Sequence, residues 1–331
     1  MSETADYLLG SRGIQRELDA FVVAVAFSGD VPAFALGDGT LRLGAGFEEV
    51  AVHDGAVLAL AATADGFATG GDDGKLMRVA RDGSATEVKR FGMKLVEQVA
   101  AHGDLLACAV GKSVHLIGPA GPLKTLDHPS SVTGLAFDAK GKRICASHYN
   151  GASLWFVAAK ADSPRKLEWK GSHTGIAVHP AGDAVVTTMQ ENALHGWRLS
   201  DGQHMRMSGY PAKTESLSFS RNGKWLASGG ADTVVLWPFF GGGPMGKAPT
   251  ELAGGDNVVC TRVACHPAQD IVAAGFNDGL VAVANIASAR VLPVAPARHG
   301  PVSALAWSAD GTRLAFGTET GFAALVDFST R

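Results

Sequence analysis

The sequence predicts an all-β fold, and three observations agree on it. A unit of short apolar segments recurs along most of the 331 residues. The segments alternate with a period of two, which indicates strands, and Asn-Gly and Asp-Gly pairs between them indicate hairpins. Glycine is abundant, at 42 residues, and many of these glycines fall in the turns. A repeat of about forty residues built from short strands predicts a closed β-propeller of four-stranded blades.

The clearest copy of the repeat is TESLSFSRNGKWLASGGADTVVLW, residues 214–237. It reads as three apolar runs separated by an Asn-Gly turn and an Asp turn. Seven more copies align with it, at residues 22–43, 57–78, 94–116, 132–155, 174–197, 261–283 and 302–325. The third run of each copy has an anchor position, and these positions are Leu43, Arg78, Leu116, Trp155, Trp197, Trp237, Val283 and Leu325.

A fourth short strand fits between consecutive copies, in EEVAVH, ATEVKR, PLKTLD, RKLEWK, QHMRM, TELA and RVLPVA. The segment GIQRELD, residues 13–19, alternates in the same way and precedes the first copy. It is expected to complete the last blade and close the ring, because stacked sheets bury their faces only against neighbours. Eight blades in one domain over residues 1–331 are favoured. Seven would result if the third copy, the most divergent, were not a blade.

The third runs and their turns resemble the WD-repeat family. The likeness is carried by ADTVVLW (231–237), YNGASLW (149–155) and ENALHGW (191–197), with His53, His128 and His299 before first strands. The match covers nearly the whole chain but is degenerate. Tryptophan ends three copies, and the turn aspartate remains at Asp38, Asp73, Asp232 and Asp278.

The resemblance implies a rigid platform for proteins or peptides, and the Ala/Gly-rich composition is typical of a bacterial member. The family also has a hydrogen-bonded His–Ser/Thr–Asp–Trp set, which no copy shows in full. The sixth copy, for example, has Tyr210 and Gly230 where the histidine and a hydroxyl would stand.

Composition narrows the functional classes. A net charge of −3 argues against a broad basic face for nucleic acid or anionic lipid. The start lacks a basic segment followed by an apolar run, and no stretch approaches the roughly 18 apolar residues of a membrane span. Four dispersed cysteines do not form a disulfide framework. A monomeric cytoplasmic protein without nucleic-acid or membrane partners is expected.

One stretch imitates a phosphate-binding loop. Gly241-x-x-x-x-Gly246-Lys247 fits such a loop except at its last position, where Ala248 replaces the Ser or Thr that binds Mg²⁺. A phosphate loop must also open a helix, whereas Pro249 here precedes a short strand. The stretch is therefore interpreted as a connection between two strands of a blade.

Other chemistry leaves weak traces. Cys260, Cys265 and His266 cluster in the seventh copy, and Cys145 and His148 in the fourth, but neither group has the spacing of a zinc site. No Gly-x-Ser-x-Gly motif is present. No enzyme and no cofactor is expected. The alternative function is a propeller that binds a metal or small molecule through histidine and cysteine near its channel.

The favoured function is a scaffold that binds a protein or peptide at the mouth of the channel. In such a ring, the connections into the first strands and the turns between second and third strands share one face. Aromatic and arginine side chains dominate interface energies, which favours Phe21, Tyr149 and Arg262. The predicted partner-binding residues are Phe21, Asp72, Lys94, Tyr149, His173, Glu191, Lys213, Arg262, Asn277 and Glu319. Asp72, Glu191 and Glu319 would make this mouth mixed in charge.

Overall fold

Strands dominate the computed structural model, which describes residues 7–160 and 163–329. A short helix, α1 (Leu8–Arg12), and a strand, β1 (Gly13–Glu17), come first. The first sheet contains β2 (Val22–Ser28), β3 (Val31–Leu36), β4 (Thr40–Leu43) and β5 (Glu48–Ala51). The second contains β6 (Val57–Ala62), β7 (Gly66–Gly71), β8 (Lys75–Ala80) and β9 (Ala85–Arg90). The third contains β10 (Gln98–His102), β11 (Leu105–Val110), β12 (Ser113–Gly118) and β13 (Gly121–Asp127).

The next sheet has six strands and the remaining three have four each. The wide sheet contains β14 (Gly134–Phe137), β15 (Arg143–Phe156), β16 (Arg165–Val178), β17 (Ala184–Met189), β18 (Ala193–Arg198) and β19 (His204–Ser208). It is followed by β20 (Leu217–Phe219), β21 (Trp225–Ser228), β22 (Thr233–Pro238) and β23 (Thr250–Gly254). The seventh copy gives β24 (Cys260–Cys265), β25 (Ile271–Phe276), β26 (Val281–Asn285) and β27 (Val291–Ala295). The last sheet joins β28 (Val302–Trp307), β29 (Arg313–Thr318) and β30 (Phe322–Asp327) to β1.

The all-β propeller of four-stranded units is confirmed, but the favoured number of blades is wrong. In the described part of the chain, the eight sequence copies form seven hydrogen-bonded sheets, because the fourth and fifth copies share the wide sheet. Seven is the alternative number. The cause expected for it is also wrong, since the third copy forms a complete sheet of its own.

The wide sheet arises because two strands run on without a break. Strands β15 and β16 are each 14 residues long. Residues 144–147 of β15 pair with β14, whereas residues 149–154 pair with the first half of β16. The second half of β16 pairs with β17. Hydrogen bonding that continues from one copy into the next leaves no mark on the apolar pattern of the sequence.

Each long strand turns at an irregularity in its ladder. In β15 the register shifts between Tyr149 and Gly151, with Asn150 in a left-handed conformation at φ 66°. In β16 it shifts between His173 and Gly175. The two halves of the sheet then pack against each other through a buried cluster that includes Leu154 and Trp197. This packing has the same form as the packing between separate neighbouring sheets.

Similar buried clusters lie between the other neighbours around the ring. One predicted anchor is displaced, because in the second copy Val79 lies opposite Phe67 and is buried, while Arg78 lies opposite Ala68 and is half-exposed. Counted between paired residues, the hairpin from Phe67 to Val79 is one residue longer than the hairpin from Leu226 to Trp237 in the sixth copy. The predicted Arg78 anchor is therefore corrected to Val79.

The N-terminal strand closes the ring, as expected. Strand β1 pairs antiparallel with β30 from Gly13 opposite Val326 to Glu17 opposite Phe322. The guanidinium group of Arg12 donates to the carbonyl of Ser329, which fixes the helix beside the last strand. Leu9 of α1 is buried in the cluster between the last two copies.

The topology gives the ring two distinct faces. The first strands of neighbouring copies contact one another around the channel. The channel-mouth face therefore carries the connections into the first strands and the turns between second and third strands. The opposite face, here called the basal face, carries the turns between first and second strands and the connections between third and fourth strands.

Candidate functional site

Hydrogen-bonded side chains fix the channel-mouth face in several copies. In the second copy, His53 Nδ1 lies 2.9 Å from Asp73 Oδ1, and its Nε2 lies 2.9 Å from Thr69 Oγ1. Burial alone would raise the pKa of Asp73, but hydrogen bonds from the Asp54 amide and from His53 outweigh it and hold that pKa below its usual range. This copy keeps the histidine, hydroxyl and aspartate of the WD-repeat set without the tryptophan.

Two of the three tryptophan copies hold the rim through different partners. Trp155 Nε1 donates to His128 Nε2 at 3.0 Å. Burial, followed by the neighbouring His148, lowers the pKa of His128 to about 4, so this histidine stays neutral near pH 7. In the sixth copy, Trp237 Nε1 donates to the Tyr210 hydroxyl at 2.6 Å. Both contacts join the third strand to the segment that leads into the first strand, and so hold the rim of the mouth in place.

In the sixth copy, the hydroxyl that pairs with Tyr210 belongs to Ser228 and not to position 230, where the repeat predicts it. Tyr210 Oη lies 2.6 Å from Ser228 Oγ, whereas Gly230, the expected position, has no side chain to offer. Ser228 Oγ in turn donates to the Val235 carbonyl at 3.3 Å. Ser228 lies on β21 rather than in the turn, and nothing in the sequence pattern marks it as the partner of Tyr210.

Glycines make the tight turns of this face possible. Gly74 has φ 76°, and a Cβ there would lie 2.0 Å from the carbonyl oxygen of Gly92. Gly279 has φ 94°, and a Cβ there would lie 1.8 Å from the carbonyl oxygen of Arg298. In both turns, the backbone of the next connection passes too close for any other residue.

Most of the predicted partner-binding residues are exposed at separate turns or connections of the channel-mouth face. Tyr149 is 59% exposed and Phe21 41% exposed. The exposed polar members are Asp72, Lys94, Glu191, Asn277 and Glu319. Asn277 Oδ1 accepts from the Val259 amide at 2.9 Å, so this side chain also braces its own turn.

The structure brings only two of the predicted residues to a common group. Lys213 Nζ lies 3.7 Å from Glu215, and Arg262 Nη1 lies 3.3 Å from the same carboxylate. Arg262 also donates through Nε to the Ser303 carbonyl at 2.6 Å. Arg262 therefore links the sixth, seventh and eighth copies, and much of its hydrogen-bonding capacity is already used.

His173 corrects the predicted surface. Its side chain is fully buried, with Nδ1 2.7 Å from Thr187 Oγ1 and Nε2 3.0 Å from the Trp169 carbonyl. Burial lowers its pKa, which keeps the ring neutral. A side chain in this position supports the packing of the wide sheet and cannot touch a partner, so it is removed from the candidate surface.

Two exposed apolar side chains were missed. Met93 is 93% exposed and Leu95 is 44% exposed, both in the connection between β9 and β10 that also carries Lys94. The available signal was two large apolar residues placed outside any strand pattern.

A cavity of about 810 Å³ lies beside Tyr149. Its walls include Ser130, His148, Trp169 and Lys170. A smaller cavity of about 350 Å³ is lined by residues of the inner strands, with Thr133, Thr174, Thr188, Glu215 and Ser216 among them. The cavity next to Tyr149 thus offers an aromatic ring, hydroxyls and a cation to a ligand, whereas the inner cavity offers mainly hydroxyls.

The histidines and cysteines considered for a metal have other roles. His148 Nε2 lies 2.9 Å from Ser153 Oγ, and His266 Nε2 lies 3.1 Å from the Gly311 carbonyl. Burial raises the pKa of the Cys145 and Cys260 thiols to about 12 and that of Cys265 to about 11. Within residues 7–160 and 163–329, no group of three or more His, Cys, Asp or Glu side chains is arranged to hold a metal ion.

The stretch that imitates a phosphate loop joins two strands, as expected. It lies between β22 and β23, and no helix follows it. Lys247 Nζ donates to the carbonyls of Phe240 and Gly243, the latter at 2.9 Å. The lysine is thus folded back onto its own loop.

Comparisons with known proteins agree with this architecture. The family model described as the anaphase-promoting complex subunit 4 WD40 domain matches residues 263–331, and the WD domain, G-beta repeat model matches residues 205–237. A crystal structure of the computationally designed Ika8 protein superposes with a TM-score of 0.78 at 19% identity, over 94% of this chain and 98% of that chain. This likeness concerns the fold alone. Together with the propeller architecture, these matches show that the chain is similar to WD-repeat propellers.

Two curated relatives match part of the chain. Telomerase protein component 1 of Mus musculus is 26% identical over 202 residues, which are 59% of this chain and 7% of that protein. Autophagy-related protein 16 of Arabidopsis thaliana is 26% identical over 182 residues, which are 54% of this chain and 35% of that protein. The chain thus corresponds to a minor part of either relative.

In the portion of the chain that is described, no helix is long and apolar enough to cross a membrane.

Proposed function

We propose that this chain is a non-enzymatic scaffold that binds a protein or peptide on its channel-mouth face. The observation that carries the proposal is the group of exposed apolar side chains on that face, namely Phe21, Met93, Leu95 and Tyr149. Large apolar side chains held in water by rigid turns are typical of interface anchors, since burying each of them against a partner releases free energy of about 1.5–3 kcal/mol.

The charged residues around these anchors would set specificity. Asp72, Glu191 and Glu319 are exposed at three turns, and Lys94 is exposed between two of the anchors. Mixed charge at a rim favours correct orientation and fast association more than affinity. A partner with an apolar centre and a mixed-charge border would fit this arrangement.

The relatives support the same general role. One is named as a protein component of telomerase, and in both relatives the matched region is part of a longer protein. A platform that joins other proteins is what a propeller module would supply in such a setting. A cytoplasmic location and a monomeric state are parts of this proposal.

The cavity beside Tyr149 would receive the central side chain of the partner. Tyr149 is the most exposed aromatic side chain in the described ranges, and it shares the cavity wall with Trp169. The backbone amide of Tyr149 donates to Ser130 Oγ at 2.9 Å, which holds the turn still. A rigid anchor loses little conformational entropy on binding.

The test compares Tyr149→Ala with a matched control, Leu292→Ala. Leu292 is 43% exposed but lies on β27, the outer strand of its sheet, away from the channel-mouth face. Proteins captured by the immobilised wild-type chain from its native host would be identified, and the leading partner purified. We expect Tyr149→Ala to weaken its binding by about tenfold or more, as for an interface hot spot. Equal affinities for wild type and Tyr149→Ala would contradict the proposed surface.

A further inference from the structure

The basal face is strongly basic over three consecutive copies. Its turns and connections in the fourth to sixth copies are residues 138–143, 157–165, 179–183, 198–203, 220–224 and 239–249. The described residues among them carry nine Lys or Arg side chains and three Asp side chains. Asp162, outside the described residues, adds a fourth carboxylate to the sequence. The whole chain carries −3, so this region is a local concentration of positive charge.

A cavity of about 690 Å³ lies within this region, lined by residues of the fourth, fifth and sixth copies. Three arginines line it, namely Arg143, Arg165 and Arg198. One carboxylate, Asp183, lines it as well. Its wall also includes Gly241, Gly242 and Gly243 from the stretch that imitates a phosphate loop. This cavity is called the basal groove below.

The arginines are only partly satisfied by the protein. Arg143 Nε donates to Asp138 at 2.8 Å, and Arg198 Nε donates to Asp201 at 2.9 Å. Arg165 donates through Nη1 to the Leu199 carbonyl at 2.6 Å, and no carboxylate of the described residues lies within 4.0 Å of it. A guanidinium group has five N–H donors, so Arg165 keeps most of its donors and its full charge for a ligand.

The glycine wall adds further donors. Gly241, Gly242 and Gly243 have φ of 64°, 92° and 114°, conformations that favour glycine. Across the part of the chain that the structure describes, their three amide groups donate to no acceptor. Arg198 Nη1 donates to the Gly242 carbonyl at 3.0 Å, which holds this loop against the fifth copy. The residues that line this cavity thus include three glycines whose amides have no acceptor in the described chain and an arginine with most of its donors unused.

We propose that the basal groove binds an acidic segment of a partner protein, with a carboxylate or phosphate group held by Arg165 and the glycine amides. Charge complementarity selects an anion, because charged donors that face a carboxylate or phosphate make the strongest hydrogen bonds. A short acidic segment fits a positive region limited to three copies. A polynucleotide would extend past it over a chain that is negative overall. This site lies on the face opposite the proposed channel-mouth surface and is independent of it.

The test uses fluorescence anisotropy with three labelled peptides: polyglutamate, a neutral serine peptide, and the same serine peptide carrying phosphoserines. We expect the wild-type chain to bind the polyglutamate or phosphoserine peptide and not the neutral one, with affinity that falls as salt rises. The ratio of the dissociation constants for the two acidic peptides shows whether the groove prefers carboxylate or phosphate. Competition by inorganic phosphate tests a preference for phosphate.

Arg165→Gln is compared with Arg290→Gln, which removes the same charge from an exposed part of the basal face in the seventh copy. We expect Arg165→Gln to weaken binding of the acidic peptide by about tenfold and Arg290→Gln to leave it unchanged. Arg165→Lys keeps the charge but loses the planar fork, so an intermediate loss is expected. It also serves as the test variant if Arg165→Gln does not fold.

Three outcomes would overturn the proposal. In the first, the wild-type chain would bind neither acidic peptide. In the second, both Arg165 variants would bind as tightly as the Arg290→Gln variant. Either result would mean that Arg165 only connects neighbouring copies. If a single-stranded oligonucleotide binds and the peptides do not, the groove recognises a nucleic acid and the peptide class is wrong.

Discussion

Single hydroxyl groups decide how firmly the third strand of a copy is attached to the rim above it. The contacts of the sixth copy run from Trp237 through Tyr210 to Ser228 and end on a backbone carbonyl. Burial raises the pKa of Tyr210 to about 12, so its hydroxyl stays protonated and can donate and accept at once. Each member of such a buried chain depends on the next.

Tyr210→Phe tests this chain of contacts. Removing the hydroxyl leaves the buried Trp237 N–H without an acceptor and the Ser228 oxygen without its donor, which is expected to lower the free energy of unfolding by about 1–3 kcal/mol. Urea denaturation followed by tryptophan fluorescence measures the change. The matched control is Tyr149→Phe, because the Tyr149 side chain is exposed. Equal stability of the two variants would show that the buried hydroxyl contributes nothing.

At this scale the sequence predicted the kinds of side chain better than their partners. The tryptophans and histidines of the repeat were recognised, but Ser228 was missed in favour of Gly230. Among the predicted site residues, His173 proved to be buried. A position in the repeat identifies a turn or a strand. It does not state whether the side chain there is covered by the next copy, because that depends on contacts between residues far apart in the sequence.

Turns are the elements whose geometry the repeat constrains most. Gly74 and Gly103 both have positive φ, at 76° and 56°. A Cβ at Gly74 would collide with the Gly92 carbonyl at 2.0 Å, whereas a Cβ at Gly103 would meet nothing within 4 Å. The two glycines thus separate the effect of backbone conformation from the effect of crowding.

Gly74→Ala and Gly103→Ala therefore form a matched pair. Gly103→Ala is expected to cost about 1 kcal/mol of stability from its left-handed backbone alone. Gly74→Ala must also displace the connection between β9 and β10, so a loss larger by at least about 1–2 kcal/mol is expected. Thermal unfolding would measure both. Similar melting temperatures would show that this connection yields without cost.

Strand positions were largely predictable, and the grouping of strands into sheets was not. The alternating pattern located the fourth strands, including those that became β5, β19 and β27. It could not show that β15 and β16 each continue from one half of a sheet into the other. Period-two burial looks the same whether a strand ends at an irregular residue or bends there.

For the whole molecule, the decisive element is the strand that closes the ring. Strand β1 covers the edge of β30, and α1 buries Leu9 against the last two copies. Without them, β30 would present its unpaired edge to water and to other molecules.

Removal of residues 1–19 is expected to lower the melting temperature by several degrees and to promote aggregation. The reason is that five cross-strand residue pairs are lost and a sheet edge is exposed. Scanning calorimetry and light scattering would measure these effects. A synthetic peptide of residues 7–20, added to the truncated chain, should restore the melting temperature, and the same peptide with β1 scrambled should not. Unchanged stability of the truncated chain would contradict a role in closure.

The distribution of charge was the property of the whole molecule that the sequence concealed. A net charge of −3 argued against any broad basic face, and this remains true of the chain taken as a whole. The basic residues of the basal face come from separate turns, such as those around Arg143, Arg198 and Lys224, with turns and connections of the channel-mouth face between them in the chain. Only the folded ring brings these basic residues together on one face.

The pairing of β1 with β30 also fixes how the molecule responds to force. Residue 13, where β1 begins, lies opposite residue 326, near the end of β30. Tension applied to segments flanking the described chain would therefore peel these strands apart one pair at a time from Gly13 and Val326, instead of sliding them past each other. Peeling loads one pair of residues at a time, so a weak pull on both ends would separate β1 from β30 while the remaining sheets stay folded.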